Sequence, residues 1–268
     1  MIKLLATDLD GTLLKKDLSV SPHTIRVIKE AMSCGLKFVF STGRMFSSAK
    51  KVAESMGIDI PIICCNGALI RRASDGEVLY YKTFDEAIAK QIVDFLWNND
   101  IVFQTYYKDD VLIPMYSPYA HWYSSRYEVS CKILSDINGF KESPPAKIMI
   151  IEPSYRIEEI RNIILKKFTN EIKTMRADVN MLEIMVGEAS KGIALSYLAD
   201  NLGISLDEVM AIGDSENDLD MLLKSGYPVA VENAMEKLKD IAKLFVSSNE
   251  NDGVAEAIEK YILPQFKL

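Results

Sequence analysis

The chain has 268 residues, enough for one large domain or two smaller ones. Hydrophobic residues make up 49% and charged residues 26%, an ordinary globular composition, and no stretch reaches the roughly 18 apolar residues that a membrane span needs. The formal net charge of −7 argues against a nucleic-acid backbone as partner, while a small phosphorylated ligand could still be held at a locally cationic site.

The first apolar run, Ile2-Lys3-Leu4-Leu5-Ala6-Thr7, predicts a strand over residues 3–8. It is too short for a signal peptide and leads directly into Asp8-Leu9-Asp10-Gly11-Thr12. Ligands of open α/β sheets bind outside the carboxyl ends of the strands. Two carboxylates there repel by roughly 4 kcal/mol at about 4 Å and an effective dielectric of about 20, so a cation, a shared proton or solvent must offset them. The bland alternative is a solvated turn, since Asp and Gly are common turn residues. A helix enters at Ser21-Pro22, with Ser as N-cap and Pro at the first helical position, and Gly35 closes it. Residues 37–41 read as a strand ending in Ser41-Thr42-Gly43-Arg44, followed by a helix over 46–56. A strand over 60–65 precedes Asn66-Gly67-Ala68. Strands at 69–71 and 78–81 flank the turn signal Ser74-Asp75-Gly76. Near-continuous apolar strands alternating with helices imply a parallel sheet covered on both faces.

From about Lys82 the pattern changes. Asp85 N-caps a predicted helix to Asn98, strands follow at 102–107 and 111–115, and the aromatic stretch 117–127 has no clear period. Ser143-Pro144-Pro145 breaks the chain. A strand at 147–151, a helix at 156–168 and strands at 172–175 and 182–186 complete an α/β block. The alternating pattern resumes at Glu188. Ser190 N-caps a helix with apolar pairs Ile193/Tyr197, Ala194/Leu198 and Leu198/Leu202. A strand over 209–213 runs into Asp214-Ser215-Glu216-Asn217-Asp218 and a helix over 216–224. Strands at 227–231 and 244–246 and helices near 234–240 and 253–261 finish the chain. The four cysteines show neither a disulfide framework nor paired metal-ligand spacing, and Cys64 and Cys65 fall in an apolar run as small hydrophobes. A reducing cytoplasm is the expected location.

Thr42 offers a hydroxyl to an anion, or N-caps the helix that follows. Lys191 in a first helical turn opposes the helix dipole by about 0.3–1 kcal/mol unless an anion reverses the sign; the alternative is an exposed surface lysine. Asp218 also suits a helix start. Arg44 and Asn66 suit a site or a structural role equally. His23 reads as a surface residue. His121 sits among aromatics that form a core or line a substrate pocket.

The segments at 8–12, 41–44, 190–192 and 213–218, in this order, resemble the haloacid dehalogenase superfamily of phosphohydrolases, and Asn66-Gly67-Ala68 fits its Cof-like type II branch. The resemblance implies an α/β fold: a Rossmann-like, doubly wound parallel-sheet core of residues 1–81 and 188–268, with an inserted type IIB-like α/β cap over 82–187. It implies that Asp8 is a nucleophile forming an aspartyl-phosphate, and Asp10 an acid/base. Leu9, Thr42, Gly43, Lys191 and Asn217 would bind phosphate and substrate. Mg²⁺ would be held by Asp8, the Asp10 carbonyl and Asp214. Gly11 would permit the turn, Thr12 would orient Asp10, and Asp218 would orient Lys191 or Asn217, with Arg44 and Asn66 in support. The expected partner is a small phosphorylated metabolite such as a sugar phosphate, with no nucleic acid and no membrane. A phosphomutase is the alternative within the superfamily. A phospho-aspartate signalling receiver is the alternative of another class.

Overall fold

A computed structural model describes residues 1–107, 109–115, 118–169 and 171–266. Tyr116 and Ser117 of the aromatic stretch, and the side chain of Tyr119, lie outside the described residues. In chain order the elements are β1 (Leu4–Thr7), α1 (Pro22–Ser33), β2 (Lys37–Ser41), α2 (Phe46–Met56), β3 (Pro61–Cys64), β4 (Leu69–Arg72) and β5 (Val78–Tyr81). Then come α3 (Glu86–Asn98), β6 (Phe103–Tyr107), β7 (Asp110–Ile113), α4 (Pro118–Tyr127), β8 (Cys131–Ile133), β9 (Lys147–Ile151), α5 (Ser154–Lys167), β10 (Ile172–Asp178) and β11 (Met181–Val186). The last part holds α6 (Lys191–Asn201), β12 (Val209–Gly213), α7 (Leu219–Lys224), β13 (Tyr227–Val231), α8 (Glu236–Lys239), β14 (Leu244–Val246) and α9 (Gly253–Ala257). Two compact units result: residues 1–43, 49–79 and 190–268, and residues 44–48 and 80–189.

The first unit is built on an eight-stranded sheet in the order β14-β13-β12-β1-β2-β3-β4-β5. β14 through β3 run parallel, and β4 pairs antiparallel with β3. Parallel neighbours need crossover helices, and both faces of the strands are buried, as β1 and β12 are throughout. From β1 the order runs through β2 and β3 to one side, and from β12 through β13 and β14 to the other. This reversal places a topological switch point at the carboxyl ends of β1 and β12, where such sheets bind ligands. Ser21 Oγ caps α1 by accepting from Thr24 N at 3.0 Å.

Several elements depart from their sequence patterns. In α6 the buried stripe is Lys191, Ala194, Leu195, Leu198 and Ala199, so Tyr197 and Leu202 lie outside it, and Tyr197 Oη donates to Leu79 O at 3.1 Å. The helix expected over 216–224 starts as a 3-10 turn, Glu216–Asp218, because the Asp218 carboxylate holds the backbone N–H groups of Asp214 and Ser215. α9 passes into a π-turn at Ile258–Ile262.

The second unit carries a six-stranded sheet in the order β10-β11-β9-β6-β7-β8, antiparallel except for β7 with β8. α3 and α5 pack Ile92, Val93, Leu96, Ile157, Ile160 and Ile164 onto Phe103, Ile148, Ile150, Leu182 and Ile184. The other face packs Tyr106, Val111, Met149 and Met181 with Ala120 and Tyr123 of α4. The stretch 117–127 is therefore largely helical, and only part of it is core: Tyr123 is buried, whereas His121 and Trp122 are exposed. Cys64 and Cys65 are buried. Among the described residues no helix is long and apolar enough to cross a membrane.

Candidate active site

Asp8 follows β1 directly and stays in register with β12, its N–H donating to Ile212 O at 3.0 Å. The chain then turns back on itself. The N–H groups of Thr12, Leu13 and Leu14 all donate to Leu9 O, and the Leu9 side chain is fully buried. Gly11 has φ +82°, and a Cβ there would come within 2.5 Å of Asp214 Oδ2. The turn requires glycine both for its backbone conformation and for the approach of Asp214.

The third and fourth segments meet this turn. Lys191 Nζ donates to Asp8 Oδ1 and to Asp218 Oδ1, each at 2.7 Å. Asp8, Lys191 and Asp218 are 4%, 1% and 0% exposed, so Lys191 is a buried residue and not a surface lysine. Asp218 turns its other oxygen, Oδ2, to the N–H groups of Asp214 at 3.0 Å and Ser215 at 3.1 Å. It thus orients Lys191 and fixes the Asp214 backbone together. Thr12 Oγ1 donates to Asp214 Oδ1 at 2.8 Å, so this hydroxyl reaches across to Asp214. The turn points Thr12 across to β12, while Asp10 makes a bridge with Leu14.

The second segment contributes Thr42, 1% exposed, whose N–H donates to Ile63 O and whose O accepts from Asn66 N. α2 begins at Phe46, four residues on, so Thr42 is not its N-cap. A Cβ on Gly43 would lie 2.9 Å from Asn66 Oδ1. Asn66 Oδ1 accepts from Asn217 Nδ2 at 3.0 Å, and Asn217 Oδ1 accepts from Ser215 Oγ at 2.7 Å. Arg44 is grouped with the second unit, its guanidinium 4.9 Å from the Tyr127 ring centroid. Two residues escaped the sequence reading. Asn233 Nδ2 donates to Gly11 O at 2.7 Å, and Asn249 Nδ2 donates to Leu14 O at 2.7 Å, with Asn249 N donating to Asn233 Oδ1. Their signal was position, since they follow β13 and β14 at the carboxyl edge of the sheet.

The electrostatics are those of an under-compensated anionic cluster. Burial pushes the Asp8 carboxyl up; Lys191 pulls it back, Asp218, Asp214 and Asp10 push it further, and the net position is well above the ordinary range. Burial and then Asp218 raise Asp214 to about 6, against the Thr12 hydrogen bond and Lys191. Burial opposes the charge of Lys191, but Asp218 and Asp8 outweigh it and hold its pKa above the usual value. Oxygens of Asp8, Asp214 and Asp218 lie within 4.8 Å of one another, and Lys191 Nζ bonds two of the three carboxylates. This hard, all-oxygen donor set with excess negative charge fits a divalent cation such as Mg²⁺.

A strand-end aspartate, a buried lysine and an acidic cluster meet at the switch point of an interrupted α/β core, an arrangement suited to a phosphoryl-handling hydrolase. The chain belongs to the haloacid dehalogenase-like hydrolase family, whose model matches residues 5–258, and to its Cof-like branch; it is an enzyme of the phosphoric monoester hydrolase class. Family membership sets aside the receiver alternative. A 5-amino-6-(5-phospho-D-ribitylamino)uracil phosphatase of Bacillus subtilis is 30% identical, over 99% of this chain and 100% of that protein. A crystal structure from Thermotoga maritima superposes with a TM-score of 0.89 at 27% identity, covering 97% of both chains. A subclass IIB sugar phosphatase, at 20% identity and a TM-score of 0.84 over 97% and 98% of the two chains, shares the fold.

Proposed function

We propose that this protein is a Mg²⁺-dependent phosphatase of small phosphorylated metabolites, sugar phosphates or related polyol phosphates, acting through an aspartyl-phosphate. The observation that carries the reading is Lys191 Nζ set 2.7 Å from both Asp8 and Asp218 at the switch point. Asp8 attacks phosphorus while Asp10 gives its proton to the departing alkoxide. Asp10, now a carboxylate, takes a proton from water, which attacks the phosphorus of the aspartyl-phosphate and releases inorganic phosphate and free Asp8. Thr42, the Gly43 and Leu9 N–H groups, Lys191 and Asn217 hold the phosphoryl oxygens. Asp8, the Asp10 carbonyl and Asp214 would hold Mg²⁺, which supplies charge neutralisation between phosphate and nucleophile when bound. Residues 82–187 serve as the cap that reads the leaving group. The names of the related ribityl-phosphate and sugar phosphatases support the substrate class.

A screen of phosphorylated metabolites, read by phosphate release with chelator and with restored Mg²⁺, tests this. Release by the wild type, its loss with chelator and its absence in Asp8→Asn are expected. Full activity in chelator would defeat the metal assignment, and transfer to substrate without release would make the enzyme a mutase.

A further inference from the structure

Cys65, Asn66 and Gly67 follow β3 with φ of +49°, +54° and +92°. Left-handed backbone at two successive non-glycine residues costs energy and persists only where the surroundings over-determine it. All three residues are buried, and three segments hold them. Asn66 N–H donates to Thr42 O at 3.1 Å. A Cβ on Gly67 would run into the carbonyl of Ser190, the residue before Lys191. Asn66 Oδ1 accepts from Asn217 Nδ2 at 3.0 Å, in space that the missing side chain of Gly43 leaves open. One strained turn therefore touches the segments that carry Thr42, Lys191 and Asn217, the groups proposed to hold phosphate.

Asn217 shows what the turn accomplishes. Ser215 Oγ occupies its amide oxygen and Asn66 takes one amide hydrogen, which leaves the second hydrogen for a ligand. A carboxamide is nearly symmetric in shape. Rotated by 180° it presents an acceptor, which an anion repels. The Asn66 oxygen is the partner that selects the donating orientation.

We propose that Asn66 is a positioning residue: its oxygen fixes the Asn217 amide with N–H toward the phosphate, and its left-handed turn holds the Thr42 and Lys191 segments in register with that amide. The inference rests on the reading that phosphate binds at this site. A double-mutant cycle tests it, with inorganic phosphate as the probe and binding to the Mg²⁺-loaded protein measured by calorimetry. Asn66→Gly keeps the backbone, because glycine is at ease at positive φ, and removes the oxygen; Asn66→Asp keeps an oxygen acceptor. Asn66→Gly and Asn217→Ala should each weaken phosphate binding about three- to tenfold, and the double variant should bind no more than about twofold more weakly than Asn217→Ala alone. In the Asn66→Asp background Asn217→Ala should still cost its full factor. Additive losses, full-strength binding by Asn66→Gly, or no Asn217 effect in the Asn66→Asp background would overturn the inference, and the last comparison decides even if the glycine variant does not fold. A wild type that does not bind phosphate, or an Asn217→Ala variant that binds as tightly as wild type, would overturn the phosphate-site reading and this inference with it.

Discussion

Thr12 donates its hydroxyl to Asp214, 202 residues away in sequence, across the 2.8 Å that separates the β1 turn from the end of β12. This bond orients a proposed Mg²⁺ ligand from outside the ligand set. Such second-layer bonds are worth about 10–100-fold in metal affinity or activity. Thr12→Val removes the hydroxyl at constant shape. Phosphate release should then need about tenfold more Mg²⁺ for half-maximal rate, with much less change at saturating Mg²⁺. An unchanged Mg²⁺ dependence would show that Asp214 is positioned without Thr12.

Lys191→Met should destabilise the protein by about 3–5 kcal/mol near neutral pH, because Asp8 and Asp218 would be left as buried, uncompensated carboxylates. Protonation of Asp8, whose carboxyl burial already pushes upward, relieves part of that penalty, so the deficit against wild type should shrink from pH 8 to pH 5. Urea melts of both proteins at the two pH values measure this. A deficit independent of pH would mean that the lysine contributes packing alone.

Asp214 makes the metal-free protein pH-sensitive with a definite sign. Its folded pKa, about 6, lies above its ordinary value of 3.8, so between these values the folded chain binds more protons than the unfolded one. In chelator, this residue's contribution should make stability fall as pH rises through that window. Asp8, also shifted upward, acts in the same direction. Asp214→Asn should flatten the slope, and saturating Mg²⁺ should reverse it by favouring the carboxylates. Melting temperatures from pH 4 to 8 with chelator and with Mg²⁺ provide the check; superimposable curves would contradict the anionic-cluster account.

Two glycines with positive φ should respond differently to alanine. Gly35 has φ +105° and nothing within 4 Å of its would-be Cβ, so Gly35→Ala should cost only the left-handed strain, about 1–2 kcal/mol. At Gly67, φ +92° is combined with backbone of Ser190 and Lys191 that cannot move aside as a side chain end can. Gly67→Ala should cost clearly more and depress activity, because any relief displaces Lys191. Equal denaturation midpoints for the two variants would remove the packing argument.

The first unit was largely legible because buried parallel strands and end-capped helices write strong local signals. The expected and observed ranges of β2, α2, β12, β13 and β14 coincide, and Ser21, Asp85 and Ser190 each cap the helix they were expected to cap. The second unit was less legible. β8 is a three-residue edge strand whose Lys132 and Ile133 are exposed, so it carries no core pattern. α4 mixes Tyr, Trp, His and Ser without a clean apolar stripe, and its packing becomes visible only when Tyr106 and Tyr127 surround Tyr123. The candidate site residues were expected from the resemblance that the four motifs carry, but who bonds to whom was not legible. The Thr12–Asp214 and Asn66–Asn217 bonds join positions 202 and 151 residues apart, and only the β1–β12 and β3 geometry brings them together.

The β1–β12 pairing, with Leu4 opposite Val209, also sets the order in which the chain can fold. Its two strands are far apart in the sequence, with a whole α/β unit between them. Loop closure on that scale makes the central pairing late, since non-local contacts reward the chain only after its entropy has been spent. During synthesis β1 leaves the ribosome more than 200 residues before its partner, as the register shows. One flank of β1 can pair with β2 early, while the other remains an open edge until β12 arrives. A nascent chain stalled inside residues 80–189 would carry that edge exposed, a template for pairing with other chains, and would be expected to aggregate or engage chaperones more than the finished protein.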